Sequence, residues 1–184
     1  RKIPFTKSVE TCLPIVILSI IVLFSNAGQL IGTKINTSNL VSLIVYVILI
    51  GLFEEIFFRG IIENELLEKY SSNKKEVIVS IIISGVIFGA VHLTNLLAGQ
   101  DLLTTMMQFV QTMAIGILFG TVYYKTRNIW AMIFIHSFYD FSVLLSEVNL
   151  ITNCGYADNV PISITAASMV ASLILSLIYL LYSA

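Results

Sequence analysis

The chain carries little charge. Asp, Glu, Lys and Arg make up 11% of its 184 residues and hydrophobic residues 57%, against about 25% and 45–50% in soluble domains. With a mean hydropathy of +0.93, this excludes an ordinary soluble protein. Basic residues are as scarce as acidic ones, 10 against 11, for a formal net charge of −1. No basic patch stands out, which argues against nucleic acid as a partner. Cysteine is nearly absent: Cys12 and Cys154 are the two present. The helix order read below places them near opposite membrane faces, so no disulfide between them is expected. No Cys–His spacing of a metal site occurs, and His92 and His136 are the only histidines.

What the chain has instead is long apolar runs. Cys12 to about Ile31 is the first, with Pro14 in its first turn, where a missing N–H is harmless. It is longer than a signal-peptide core and no small-residue cleavage site closes it, so it reads as a retained helix. Leu40–Ile62 is the second run, expected to continue through Glu63–Lys69 as an amphipathic extension at the surface until Ser71–Lys75 breaks it. Val77–Ala98, Thr104–Tyr124 and Ile129 to about Val148 follow, and Pro161 opens a sixth run after a polar loop. The expectation is an all-α integral membrane protein, a bundle of about six transmembrane helices forming one domain over 1–184, with a catalytic core at about 40–148. The chain begins at Arg1 rather than Met, compatible with a longer precursor.

Positive charge sets the orientation. With the N-terminus inside, the inner segments hold Arg1, Lys2, Lys7, Lys69, Lys74, Lys75, Lys125 and Arg127, and the outer loops hold only Lys34. Both termini are therefore expected to be cytoplasmic. Glycines four apart, at Gly28/Gly32, Gly85/Gly89 and Gly116/Gly120, mark faces where helices can approach closely.

Inside the apolar runs lie charges that cost at least about 2.5–3.5 kcal/mol each at membrane depth, and such residues usually mark a working site. Glu54, Glu55 and Arg59 sit in the second run, His92 in the third, His136 and Asp140 in the fifth. At about 100° per residue, Glu55 and Arg59 share a helix face and can pair, while Glu54 points away. This separates a structural pair from a reactive carboxylate. His136 and Asp140 also share a face, and Phe88 lies one turn below His92. By count of residues, Glu54 and Asp140 fall toward the cytoplasmic half and His92 nearer the middle or beyond, so their meeting calls for tilt or for a second helix that extends through Lys69 before leaving the membrane. Each position also has a plainer reading as ion-cluster or packing residue; together the six point to one polar intramembrane pocket.

Glu54-Glu55-x-x-x-Arg59, Phe88-x-x-x-His92 and His136-x-x-x-Asp140, with Thr126-Arg127-Asn128-Ile129-Trp130 before the last, resemble the CAAX prenyl-protease and bacteriocin-processing family of intramembrane glutamate endopeptidases. The resemblance covers about Gly51 to Asp140. It implies metal-independent peptide hydrolysis without a cofactor, in which Glu54 and His92 activate water and His136, with the position of Asp140, serves the oxyanion. An Asn often stands where this chain has Asp140; an ionised Asp cannot donate to an oxyanion, so Asp140 is either protonated or orients His136. The implied substrate is a peptide or protein tail: a leader peptide, a peptide pheromone or a prenylated tail. The abundance of Ile, Asn and Lys points to a bacterial cell membrane. A metal-dependent protease using the Glu, His and Asp side chains, and a non-enzymatic immunity, partner-binding or proton-coupled membrane protein, are the alternatives.

Overall fold

The computed structural model describes residues 3–148 together with Ile174 and Ile178. The expected sixth run from Pro161, its preceding loop and Cys154 lie outside the described residues, apart from those two isoleucines. Among the described residues the fold is all helix. We number the helices α1 (Phe5–Thr11), α2 (Leu13–Gln29), α3 (Thr37–Lys69), α4 (Lys74–Leu96), α5 (Leu102–Thr126) and α6 (Ile129–Leu144).

Helices α3, α4 and α5, of 33, 23 and 25 residues, are long and apolar enough to cross a membrane. At 1.5 Å per residue each exceeds the roughly 30 Å of a hydrocarbon core. α1 and α2 meet at a 73° bend, and the pair counts as a fourth span only if the two are taken together; α6 is a shorter apolar helix. The chain is an integral membrane protein. The short helix α1 has Ser8 buried, and ahead of it Ile3 is tied to the α5–α6 turn by Ile3 N–H to Thr126 O at 2.8 Å and Asn128 Nδ2 to Ile3 O at 3.0 Å.

Each of the four C-terminal helices starts at a side-chain cap, which supplies acceptors for N–H groups that have no intrahelical partner. Asn36 accepts from Ser38 N–H at 2.9 Å, Asn73 from Glu76 N–H at 3.1 Å, Asp101 from Thr104 N–H at 3.0 Å and Asn128 from Ala131 N–H at 3.4 Å. Glu76 reaches back to Ser72 N–H at 2.9 Å, so the break at Ser71–Lys75 is also a well-made start. α3 is not uniform: Ile56–Glu63 winds as a π-helix, the wider i→i+5 form that is rare outside functional sites. The last turn of α4, from His92, tightens to a 3₁₀-helix.

The glycine pairs divide. At Gly85 an added Cβ would lie 2.8 Å from the Ile117 amide nitrogen, at Gly89 2.8 Å from the Phe109 carbonyl oxygen, and at Gly116 3.1 Å from the Gly85 Cα. α4 and α5 thus cross backbone on backbone. Gly28 and Gly32 do not form such a face. Among the described residues neither has an atom within 4 Å of its Cβ position, and Gly32 adopts φ +82° in the turn after α2, a conformation glycine takes without steric cost.

Gly85→Ala should therefore destabilise the protein by about 1–3 kcal/mol, the usual cost of forcing atoms into a packed interface. Gly28→Ala should shift stability by less than about 0.5 kcal/mol. Thermal unfolding of the two variants in the same detergent distinguishes them.

Candidate active site

The centre of the site is Glu55. Its carboxylate is fully buried, and one oxygen, Oε1, accepts two hydrogen bonds: from Arg59 Nη1 at 2.9 Å and from His136 Nδ1 at 2.6 Å. The first bond follows from the four-residue spacing on α3. The second joins α3 to α6, and its existence depends on Gly51, one turn earlier. A Cβ there would collide with the Ser137 hydroxyl and lie 3.2 Å from both the Ile133 carbonyl oxygen and the Ser137 nitrogen. Hydrogen at position 51 is what lets α6 come close enough for the residue beside Ser137 to reach Glu55.

Arg59 is 1% exposed. Its Nη2 donates to the Gly116 carbonyl at 3.3 Å, and its guanidinium carbon lies 4.6 Å from the Phe88 ring centroid and 5.5 Å from that of Phe119. The cation is thus met by a carboxylate, a carbonyl and two aromatic faces, the kind of enclosure that compensates the lost hydration of a buried charge. Glu55 with Arg59 is the sealed pair that the sequence spacing indicated.

On its other side, His136 faces two more carboxylates. Its Nε2 is 3.5 Å from Glu54 Oε2 and 3.5 Å from Asp140 Oδ2. Glu54 turns away from Arg59, as helix geometry requires of its neighbour. The side chains of Glu54 and Asp140 are each 22% exposed, against 0% for Glu55 and 5% for His136. Accessibility therefore rises from the sealed pair, through His136, to Glu54 and Asp140 at the rim.

His92 completes the group. Its ring stacks edge-on against Phe88 at 5.4 Å between centroids, and Phe88 in turn contacts His136 at 5.9 Å. α4 packs against α5 where Gly85 meets Gly116. No hydrogen bond or ion pair joins Glu54 to His92; the Phe88 ring contacts both His92 and His136, and His136 lies 3.5 Å from Glu54. The Nδ1 of His92 lies 3.1 Å from the Phe88 carbonyl, an acceptor, so Nδ1 carries the proton and Nε2 of the neutral ring carries the lone pair.

All six residues singled out from the sequence thus lie in one cluster. Two neighbours were missed. Phe119 packs 5.5 Å from His136, and Gln111 Nε2 donates to the Tyr139 hydroxyl at 2.6 Å beside Asp140. Gln111, a polar residue within an apolar run, was a readable signal; an aromatic such as Phe119 was not. Glu63 was misplaced. It was assigned to a surface extension of α3, but it is fully buried. Among the described residues no three His, Cys, Asp or Glu side chains are arranged to hold a metal ion.

Breaking the sealed pair should be costly. Arg59→Met is expected to destabilise by about 3–5 kcal/mol, because it strands a buried carboxylate, whereas Glu55→Leu with Arg59→Met should cost less than the sum of the single changes. A double-mutant cycle on unfolding in detergent reads this coupling.

Neither the comparison with curated proteins nor that with solved structures returns a match. The type II CAAX prenyl endopeptidase Rce1-like family matches residues 36–142, more than half of the chain and every residue of the pocket. The interval runs from the cap of α3 to within two residues of the end of α6, so it holds the α3–α6 scaffold as well as the six side chains. The chain belongs to the type II CAAX prenyl endopeptidase Rce1-like family of membrane proteases.

Proposed function

We propose that the chain is an intramembrane endopeptidase of the glutamate type, hydrolysing a peptide bond in a peptide or protein tail near the cytoplasmic face. The observation that carries this reading is the gradient of exposure across the pocket. Glu55 and Arg59 are sealed and hold His136 from behind, while Glu54, Asp140 and His92 stand where a substrate can meet them.

In this reading Glu54 takes a proton from water, and the lone pair on His92 Nε2 accepts a hydrogen bond from the same water and orients it. The hydroxide equivalent adds to the scissile carbonyl. His136 meets the resulting oxyanion through Nε2. Since Nδ1 already donates to Glu55, this step uses an imidazole with protons on both nitrogens, and three carboxylates lie within 3.5 Å of that ring. Glu54 then returns its proton to the leaving amine. The position of Asp140, 3.5 Å from Nε2, supports the second of its two roles: it orients His136 rather than donating to the oxyanion itself.

In this reading the substrate is a leader peptide, a peptide pheromone or a prenylated tail presented from the bilayer, and residues 1–184 act as one domain in a bacterial cell membrane with both termini cytoplasmic. Bacteriocin processing and self-immunity are activities consistent with this placement.

Glu54→Gln and His92→Ala are each expected to lower cleavage at least about 100-fold, the usual loss of a general base, with the unfolding temperature of Glu54→Gln preserved. Mass spectrometry of membrane-associated peptides from cells carrying the native protein or Glu54→Gln identifies the substrate. Full-rate cleavage by either variant sinks the proposed roles, and a chelator that abolishes cleavage, with metal found by elemental analysis, points to the metal-dependent alternative.

A further inference from the structure

One turn below Arg59 lies a carboxyl that this reaction does not use. Glu63 is 0% exposed, and neither of its oxygens accepts a hydrogen bond from any described residue. It is pressed against α5: a Cβ on Gly120 would lie 2.5 Å from Glu63 Oε2 and 3.3 Å from Glu63 Cδ. Burying a carboxyl without a partner costs several kcal/mol, so packing alone is a poor reason for a glutamate here. A leucine would fill the same space without that cost.

The missing partner is on the same helix. Arg59 Nε is buried and has no acceptor, just as Glu63 has no donor, and the two residues are four apart within the π-helical run Ile56–Glu63. At Glu55 the opposite imbalance holds. Arg59 and His136 both bond to Oε1, while Oε2 is unpartnered. Arg59 could leave Oε1 without stripping Glu55 of its bond to His136. The other described arginine, Arg127, is exposed and is engaged with Asn64 Oδ1 at 2.7 Å.

We propose that Glu63 is a second seat for the Arg59 guanidinium, which is held between Glu55 and Glu63 and by moving toward Glu63 leaves Glu55 to His136. Glu63 is then a positioning residue acting through Arg59. Its consequence for hydrolysis rests on the roles proposed above for Glu55 and His136, but the Arg59–Glu63 contact itself does not. The chain has three arginines, Arg1, Arg59 and Arg127, so ¹⁵N-arginine labelling of the full chain in lipid nanodiscs gives a spectrum in which the Arg59 Nε–H is assigned by replacing the other two with Lys. The expected result is a downfield Nε–H proton, the mark of a carboxylate acceptor, that is lost in Glu63→Gln. Gly120→Ala leaves Glu63 in place but displaces its carboxyl and should cause the same loss, while in a second sample labelled with ¹⁵N-histidine the ring signals of His136 shift in both variants. An Arg59 Nε–H unchanged in Glu63→Gln, or unchanged in Gly120→Ala should the first variant not fold, overturns the proposal. Because this readout needs no substrate, full cleavage by Glu54→Gln would refute the proposed base and leave the Arg59 result standing.

Discussion

A carboxylate oxygen shared between a guanidinium and an imidazole, with no water-exposed surface on the carboxylate, is the contact on which the site depends. Glu55 Oε1 joins α3 to α6 by the shorter of their polar contacts, the bond from His136 Nδ1. A bilayer offers no water to satisfy a charge left over, so Glu55, Arg59 and His136 must be present together. Arg59 extends the same contact to α5 through Gly116 and to the aromatic rings of Phe88 and Phe119. Three membrane helices are thereby fixed relative to one another by a few polar atoms.

That arrangement separates holding from reacting. Residues sealed from solvent keep His136 in place, and residues at the rim are left with the freedom to meet water and substrate. Two adjacent glutamates serve both ends because adjacent helical positions point about 100° apart. One backbone segment can therefore carry a structural carboxylate and a reactive one without either competing for Arg59.

Much of this was readable from residue spacing. Pairs four apart on a helix face each other whatever the tertiary fold, which is why Glu55–Arg59 and His136–Asp140 could be paired from sequence. The convergence of His92 could not be read in this way. It depends on the angle at which α4 and α5 cross, set by the close contact of Gly85 with Gly116 and Ile117, and residue counting along a straight span cannot supply that angle. Glu63 was misread for a related reason. Its neighbours Asn64, Glu65, Glu68 and Lys69 are polar, and an α-helical count turns it about 80° from Glu55. The wider π-helical winding of Ile56–Glu63 changes that count and keeps Glu63 on the buried side. The short helix Phe5–Thr11 escaped notice because seven residues give too little periodicity to read.

The close approach at Gly51 has a bearing on how the sequence can drift. Its hydrogen is in contact range of the Ser137 side chain and backbone, and Ser137 is the immediate neighbour of His136. A larger residue at 51 can be accepted only with a smaller one at 137 or a shift of α6, and a shift of α6 carries His136 off Glu55. Positions 51 and 137 therefore behave as one mutational unit. Among related chains their sizes should vary in compensation, at a pair of positions that take no part in the chemistry.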